Sequence, residues 1–186
     1  LASIGWSYEN GDALTTTTTK FLGVAVFSTL VGAGLMSISR SSNGKMASEA
    51  SASLSAFLFT LTTILAALLP SLLGLLGQDI DSAMNVVLID AVSKLAVAMI
   101  VAGLFVNVLL TVANRGDEEV STSAWFLIFA LLTFILSMFF GFFGELIGST
   151  QTVWLAGQIG SSWVLLALIF SVAYHVIPMT SGTPIW

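Results

Sequence analysis

The sequence predicts an all-α integral membrane protein, a bundle of about five transmembrane helices with short connections. Hydrophobic residues make up 56% of the 186 positions and charged residues only 8%, whereas soluble domains carry about 25% charged residues. The apolar residues fall into long runs, each close to the ~20 residues that a helix needs to cross the hydrocarbon core. Few charges and long apolar runs together exclude a soluble globular domain.

A polar N-terminal segment precedes the first two predicted transmembrane helices. Residues 1–20 include five consecutive threonines and are predicted to form an external polar tail rather than part of the core. Residues 21–177 are predicted to form the transmembrane domain, with its first helix at about 21–39 and its second at about 50–76. Pro70 lies inside the second run, where it removes a backbone donor and is expected to kink the helix.

Three more crossings complete the predicted bundle, at about 85–113, 124–147 and 153–177. Residues 178–186 are expected to form a short C-terminal tail, because Pro178 is predicted to stop the last helix. Three tryptophans are expected near the ends of the fourth and fifth spans as interfacial anchors: Trp125, Trp154 and Trp163. An odd number of crossings without a visible repeat does not fit the inverted-repeat plans of common transporters.

Basic residues predict the orientation of the bundle. Arg40, Lys45 and Arg115 fall on the side shared by the first loop, the third loop and the C-terminus, and the other side has only Lys20. Loops rich in Lys and Arg stay in the cytoplasm. The N-terminus is therefore expected outside and the C-terminus inside.

Composition also limits chemistry and partners. Ten Asp and Glu residues against five Lys and Arg give a formal net charge of -5, which argues against nucleic acid and anionic headgroups. The chain has no cysteine and one histidine, so a thiolate or multi-histidine metal site is not expected. We expect no metal, no cofactor and no nucleic acid. The expected partners are the lipid bilayer and either other membrane subunits or copies of this chain.

Asp90 and Lys94 are the charged residues that need most explanation, because they lie inside the apolar third run. One unpaired charge there costs at least ~2.5–3.5 kcal/mol on insertion scales. Residues four apart share a helix face, so each can neutralise the other. The pair is either a salt bridge that fixes helix packing or part of an ion or proton path.

Two other titratable residues could also line such a path. Glu145 lies one turn before the predicted end of the fourth span, and His175 lies near the inner end of the fifth. Histidine titrates near neutral pH and suits a proton relay. The alternative is that Glu145 is simply solvated at the membrane surface and that His175 is merely hydrogen-bonded.

Pairs of small residues four apart indicate where helices could approach closely. These pairs are Ser28 with Gly32, Gly144 with Gly148, and Ala167 with Ser171. No sequence motif of a catalytic site is present. The sequence therefore favours a non-enzymatic membrane subunit in a larger assembly, such as a homo-oligomer, an energy-transducing complex or an envelope lattice. The alternative is an ion or proton channel or carrier that uses Asp90 and Lys94.

Overall fold

A computed structural model describes residues 11–41, 46–75, 83–114 and 120–181, and over these ranges every regular element is a helix. The elements are α1 (Gly11–Ser41), α2 (Glu49–Leu75), α3 (Ala83–Ala113), α4 (Thr122–Leu146), α5 (Thr150–Gln158), a π-helical segment (Ile159–Val164) and α6 (Leu165–Ser181). The last three run on without a break and are called the fifth helix below. The predicted all-α bundle of five helices is confirmed.

Four of these helices are long and apolar enough to cross a membrane. Their apolar windows are Glu49–Ala66, Leu88–Ala113, Thr122–Leu146 and Thr150–Pro178. Helix α1 contributes a shorter apolar stretch, Leu22–Ile38. A helix satisfies its own backbone hydrogen bonds, which is the requirement that hydrocarbon imposes on a spanning segment.

Two helix ends differ from those predicted. Helix α1 already begins at Gly11, so the backbone of the threonine run is helical; a helix needs internal hydrogen bonds but no apolar stripe to extend beyond the hydrocarbon. Helix α6 continues through Pro178 to Ser181, because a membrane helix tolerates proline where the freed carbonyl finds another partner. Residues 1–10 and 182–186 lie outside the described residues.

Helix α2 includes position 70 without ending there. The side chain of Pro70 lies outside the described residues, so the kink stays a prediction. The loop residues Lys45 and Arg115 also lie outside the described ranges.

Helix α4 is the centre of the bundle, although the sequence draws attention first to the charged third span. It packs against α1, α3 and all three parts of the fifth helix, whereas α2 contacts only α1 and α3 among the described elements. Its buried positions include many small residues that let neighbours approach on several sides: Ser123, Ala124, Ala130, Ser137, Gly141 and Gly144. The larger buried side chains Leu127 and Leu131 fill the space between the helices.

Helix α4 is joined to α5 by a tight turn. Gly148 has φ +67°, a left-handed conformation that glycine adopts without strain. The backbone N–H of Ser149 donates to the carbonyl of Gly144 at 2.8 Å, and the backbone N–H of Gly148 donates to the carbonyl of Glu145 at 3.2 Å. This pair of bonds is a Schellman motif. It fixes the end of α4, and with it the position of Glu145, close to the start of α5.

Candidate functional site

The main charged site is a cluster of three side chains that joins α3 to α4. The ammonium group of Lys94 donates to Asp90 Oδ2 at 2.8 Å, one turn earlier on α3, and to Glu145 Oε1 on α4. The three side chains are partly buried, with 29%, 24% and 13% exposure for Asp90, Lys94 and Glu145. We call these residues the charge cluster.

The path of the lysine side chain explains why α4 has glycine one turn before Glu145. A Cβ atom at position 141 would lie 3.2 Å from Lys94 Cδ and 3.6 Å from its Cε. Gly141 therefore lets the aliphatic part of Lys94 cross the face of α4, so that the ammonium group reaches the carboxylate. On α3 itself, the hydroxyl of Ser93 donates to the carbonyl of Asp90 at 2.7 Å, away from the ion pair.

The second oxygen of Glu145 distinguishes the charge cluster from a simple ion pair. Oε2 is buried and has no hydrogen-bond partner among the described residues. Two carboxylates and one ammonium group carry a net charge of -1 when all three are ionised. A buried carboxylate oxygen without a donor is costly, and a proton or a small cation at Glu145 would relieve both the charge and the missing bond.

The sequence identifies all three residues and places Glu145 on the same possible ion path as Asp90 and Lys94, but it does not predict the direct contact between Glu145 and Lys94. The sequence signal for this contact is that the three residues lie at a similar depth, because α3 starts and α4 ends at the same side of the bundle. Asp90 and Lys94 lie early in α3, and Glu145 is the next-to-last residue of α4. Depth alone does not give the rotation of each helix, which decides whether side chains at one level face each other.

His175 belongs to the opposite end of the bundle. It follows Ser171 by one turn of α6, and Ser171 pairs with Ser123 in the first turn of α4. At ~1.5 Å per residue, Ser123 and Glu145 are about 33 Å apart along α4. The structure therefore does not bring His175 to the charge cluster.

A network of three serine hydroxyls holds that opposite end together. Ser123 Oγ donates to the carbonyl of Ser171 at 2.7 Å, and Ser171 Oγ donates to that of Ser123 at 2.9 Å. Ser37 of α1 joins them through a 2.8 Å hydroxyl contact with Ser123. All three are buried, so this serine cluster ties α1, α4 and α6 together without any charge.

The loop before α2 is fastened to α3 at the same end. The buried side chain of Asn107 accepts from the amide of Ser48 at 3.0 Å and donates to its carbonyl at 2.8 Å. Thr111 accepts from the amide of Ala47 at 2.9 Å. The described end of the first loop, at Ala47 and Ser48, is thus held by side chains of α3.

The predicted small-residue pairs have different surroundings. Ser28 and Gly32 line an apolar cavity of about 120 Å³ between α1, α2 and α3, and nothing lies within 4 Å of a Cβ placed on Gly32. Gly144 faces α5, where its Cβ would lie 2.9 Å from the backbone nitrogen of Val153, whereas Gly148 forms the turn. Ala167 and Ser171 are both buried.

Within the described ranges, no group of three His, Cys, Asp or Glu side chains could hold a metal ion. Comparison with known proteins adds no relative, since no family model, no curated protein and no solved structure matches the chain.

Proposed function

We propose that this chain is a non-enzymatic integral membrane subunit that packs against other membrane subunits, or against copies of itself, in a larger assembly. The observation that carries the proposal is the separation of the polar groups. The charge cluster lies at one end and the serine cluster at the other. Between them, the buried side chains of the described residues are apolar except for Ser137, whose hydroxyl donates to the carbonyl of Ala156.

Between α4 and α6 the apolar filling is tight, because Leu127, Leu131 and Leu168 have only 0–1% exposure. An ion that crossed this layer would lose its hydration without gaining ligands, which costs many kcal/mol. Lys94, with a carboxylate partner on each of two helices, instead suits a lock that holds α3 against α4. A stable bundle of this kind is a suitable building block for an assembly.

The second candidate is an ion or proton channel or carrier. Glu145 is the specific observation that favours it, because Oε2 is buried without a hydrogen-bond donor in the described part of the chain. In this role Glu145 would take up a proton or small cation while Lys94 exchanges between its two carboxylates. The remaining path would have to be supplied by neighbouring subunits.

Flux through reconstituted liposomes separates the two functions. We expect the purified chain to conduct protons, Na⁺ and K⁺ no faster than empty liposomes. The Asp90→Asn and Lys94→Met double variant should loosen the assembly without changing flux, and Glu49→Gln, on the exposed first turn of α2, is the matched charge control. If the unmodified chain shows flux, and the double variant abolishes this flux while assembly stays intact, the chain is a channel or carrier instead.

We propose further that the N-terminus lies outside and the C-terminus in the cytoplasm. The support is the basic bias of Arg40, Lys45 and Arg115. The absence of cysteine from the sequence allows a direct test with single variants, Ser7→Cys and Thr183→Cys. In intact cells, a membrane-impermeant maleimide should label only the first. Labelling of the second alone would reverse the orientation.

A further inference from the structure

Gln158 places its side-chain amide on the outer surface of the fifth helix, close to the middle of the bundle. Its side chain is exposed. Its depth follows from Ser137, which donates to the carbonyl of Ala156 at 2.7 Å and lies 2.9 Å from a Cβ placed on Gly160. Ser137 is within about 5 Å, along the axis, of the midpoint of α4. The turn that contains Gln158 is therefore level with the centre of the bundle.

An exposed amide at this depth faces hydrocarbon unless another protein covers it. A glutamine side chain has two N–H donors and a carbonyl with two lone pairs. No described residue forms a hydrogen bond with the side-chain amide of Gln158. Water, which satisfies exposed amides in soluble proteins, is absent from the bilayer core, and an unsatisfied amide there costs several kcal/mol. The amide consequently requires a partner from outside the described part of the chain.

The residues around Gln158 form a surface suited to another helix. Six exposed residues share one stripe, which we call the Gln158 face: Trp154, Gly157, Gln158, Ser161, Ser162 and Leu165. Gly157 and Ser161 are four apart, the spacing of small residues that lets helix backbones touch in lipid. No atom lies within 4 Å of a Cβ placed on Gly157, so that close approach is still available.

The position of Trp163 supports the same conclusion. This residue, which the sequence predicts to be an interfacial anchor, lies in the π-helical segment, five residues beyond Gln158, with 61% exposure. An indole N–H usually finds a partner when it is removed from water. Trp163 lies outside the six residues of the Gln158 face, but its indole adds another exposed N–H donor at a similar depth.

We propose that the Gln158 face is a dimerisation surface, on which a second copy of this chain docks with its own Gln158 opposite the first. This inference rests on the proposed function, because it names the partner in the assembly. Two-fold symmetry places the same residues on both sides of an interface. An amide is complementary to itself, since each copy donates one N–H to the carbonyl of the other. The face also has no charged residue, so two copies meet without repulsion.

The test is energy transfer between donor- and acceptor-labelled copies in liposomes, titrated by protein-to-lipid ratio. We expect the unmodified chain to dimerise and Gln158→Leu to weaken the dimer about 3- to 30-fold. Gln158→Asn retains an amide and should retain most of the transfer. Gln151→Leu is the matched control, because Gln151 is also exposed but lies in the first turn of α5, where water is available.

Three outcomes would overturn the inference. One is a chain that stays monomeric at all ratios, and another is a Gln158→Leu variant that dimerises as tightly as the unmodified chain. The third is association only with a foreign subunit, which would leave the proposed function standing. Unchanged helical circular dichroism in Gln158→Leu ensures that a weaker dimer is not a folding defect. Ion flux through the unmodified chain would count against the proposed function alone, and is measured separately.

Discussion

Lys94 and Glu145 are 51 positions apart in the sequence, yet the ammonium group of one meets the carboxylate of the other between α3 and α4. Gly141 leaves the room that the lysine side chain needs to reach across α4. Asp90 binds the same ammonium group from α3 itself. The lysine therefore separates two carboxylates that would otherwise face each other at one end of the bundle.

The first prediction concerns removal of that cation. Lys94→Met should destabilise the protein by roughly 3 kcal/mol, the lower end for breaking a buried ion pair, because the cluster is partly exposed. The measurement is the free energy of unfolding from an SDS titration in mixed micelles. Adding Asp90→Asn and Glu145→Gln to Lys94→Met should recover most of the lost free energy of unfolding, since no ionised group then remains in the cluster. Equal stability of Lys94→Met and the unmodified chain would show that the cluster is not a lock.

Glu145 also shows where sequence reasoning stops. The crossings could be predicted because every backbone group in hydrocarbon must be satisfied within its own helix, so length and apolarity suffice. The i, i+4 pairing of Asp90 with Lys94 is likewise local. The contact with Glu145 depends on which helices are neighbours and how each is rotated, and neither is encoded in a span. For the same reason, the sequence does not predict the central position of α4, which depends on its small buried residues facing several helices.

The second prediction concerns the close contact between α4 and α5. Gly144→Ala should destabilise the chain by about 1–3 kcal/mol, because the new methyl group would lie 2.9 Å from the backbone nitrogen of Val153, which cannot rotate away. Gly23→Ala in α1 is the matched control. Nothing lies within 4 Å of its Cβ, and alanine is the better helix former. In the same SDS titration, Gly23→Ala should be neutral or slightly stabilising; equal losses in both variants would contradict the assigned contact.

The third prediction concerns the attachment of the first loop. Asn107→Ala removes both hydrogen bonds to the backbone of Ser48, at a cost of about 1–2 kcal/mol. Since 1.4 kcal/mol corresponds to a factor of ten, hydrogen exchange of the Ser48 amide should accelerate about tenfold. Exchange in the middle of α4 should change much less. Asn114→Ala is the control, because Asn114 is exposed at the end of α3, and acceleration in that variant as well would argue against a specific attachment.

The fourth prediction concerns the serine cluster, which joins three helices without charge. Ser123→Ala removes the hydroxyl that donates to the carbonyl of Ser171 and contacts the hydroxyl of Ser37. Hydrogen bonds between membrane helices average ~0.6 kcal/mol and reach ~1.7 kcal/mol. Two contacts at a buried position should bring the loss to about 1–2 kcal/mol in the SDS titration.

A double-variant cycle with Ser171→Ala tests whether this loss reflects a network. Each of these two hydroxyls donates to the other residue's carbonyl. The two hydrogen bonds are separate, but both depend on the same spacing between α4 and α6. We expect the combined loss to be smaller than the sum of the single losses by about 0.5 kcal/mol or more, as is typical for residues in contact. Ser53→Ala, on an exposed position of α2, should change stability by less than about 0.5 kcal/mol. Strictly additive losses would mean that the hydroxyls of Ser123 and Ser171 stabilise the bundle independently, as two separate hydrogen bonds rather than as a network.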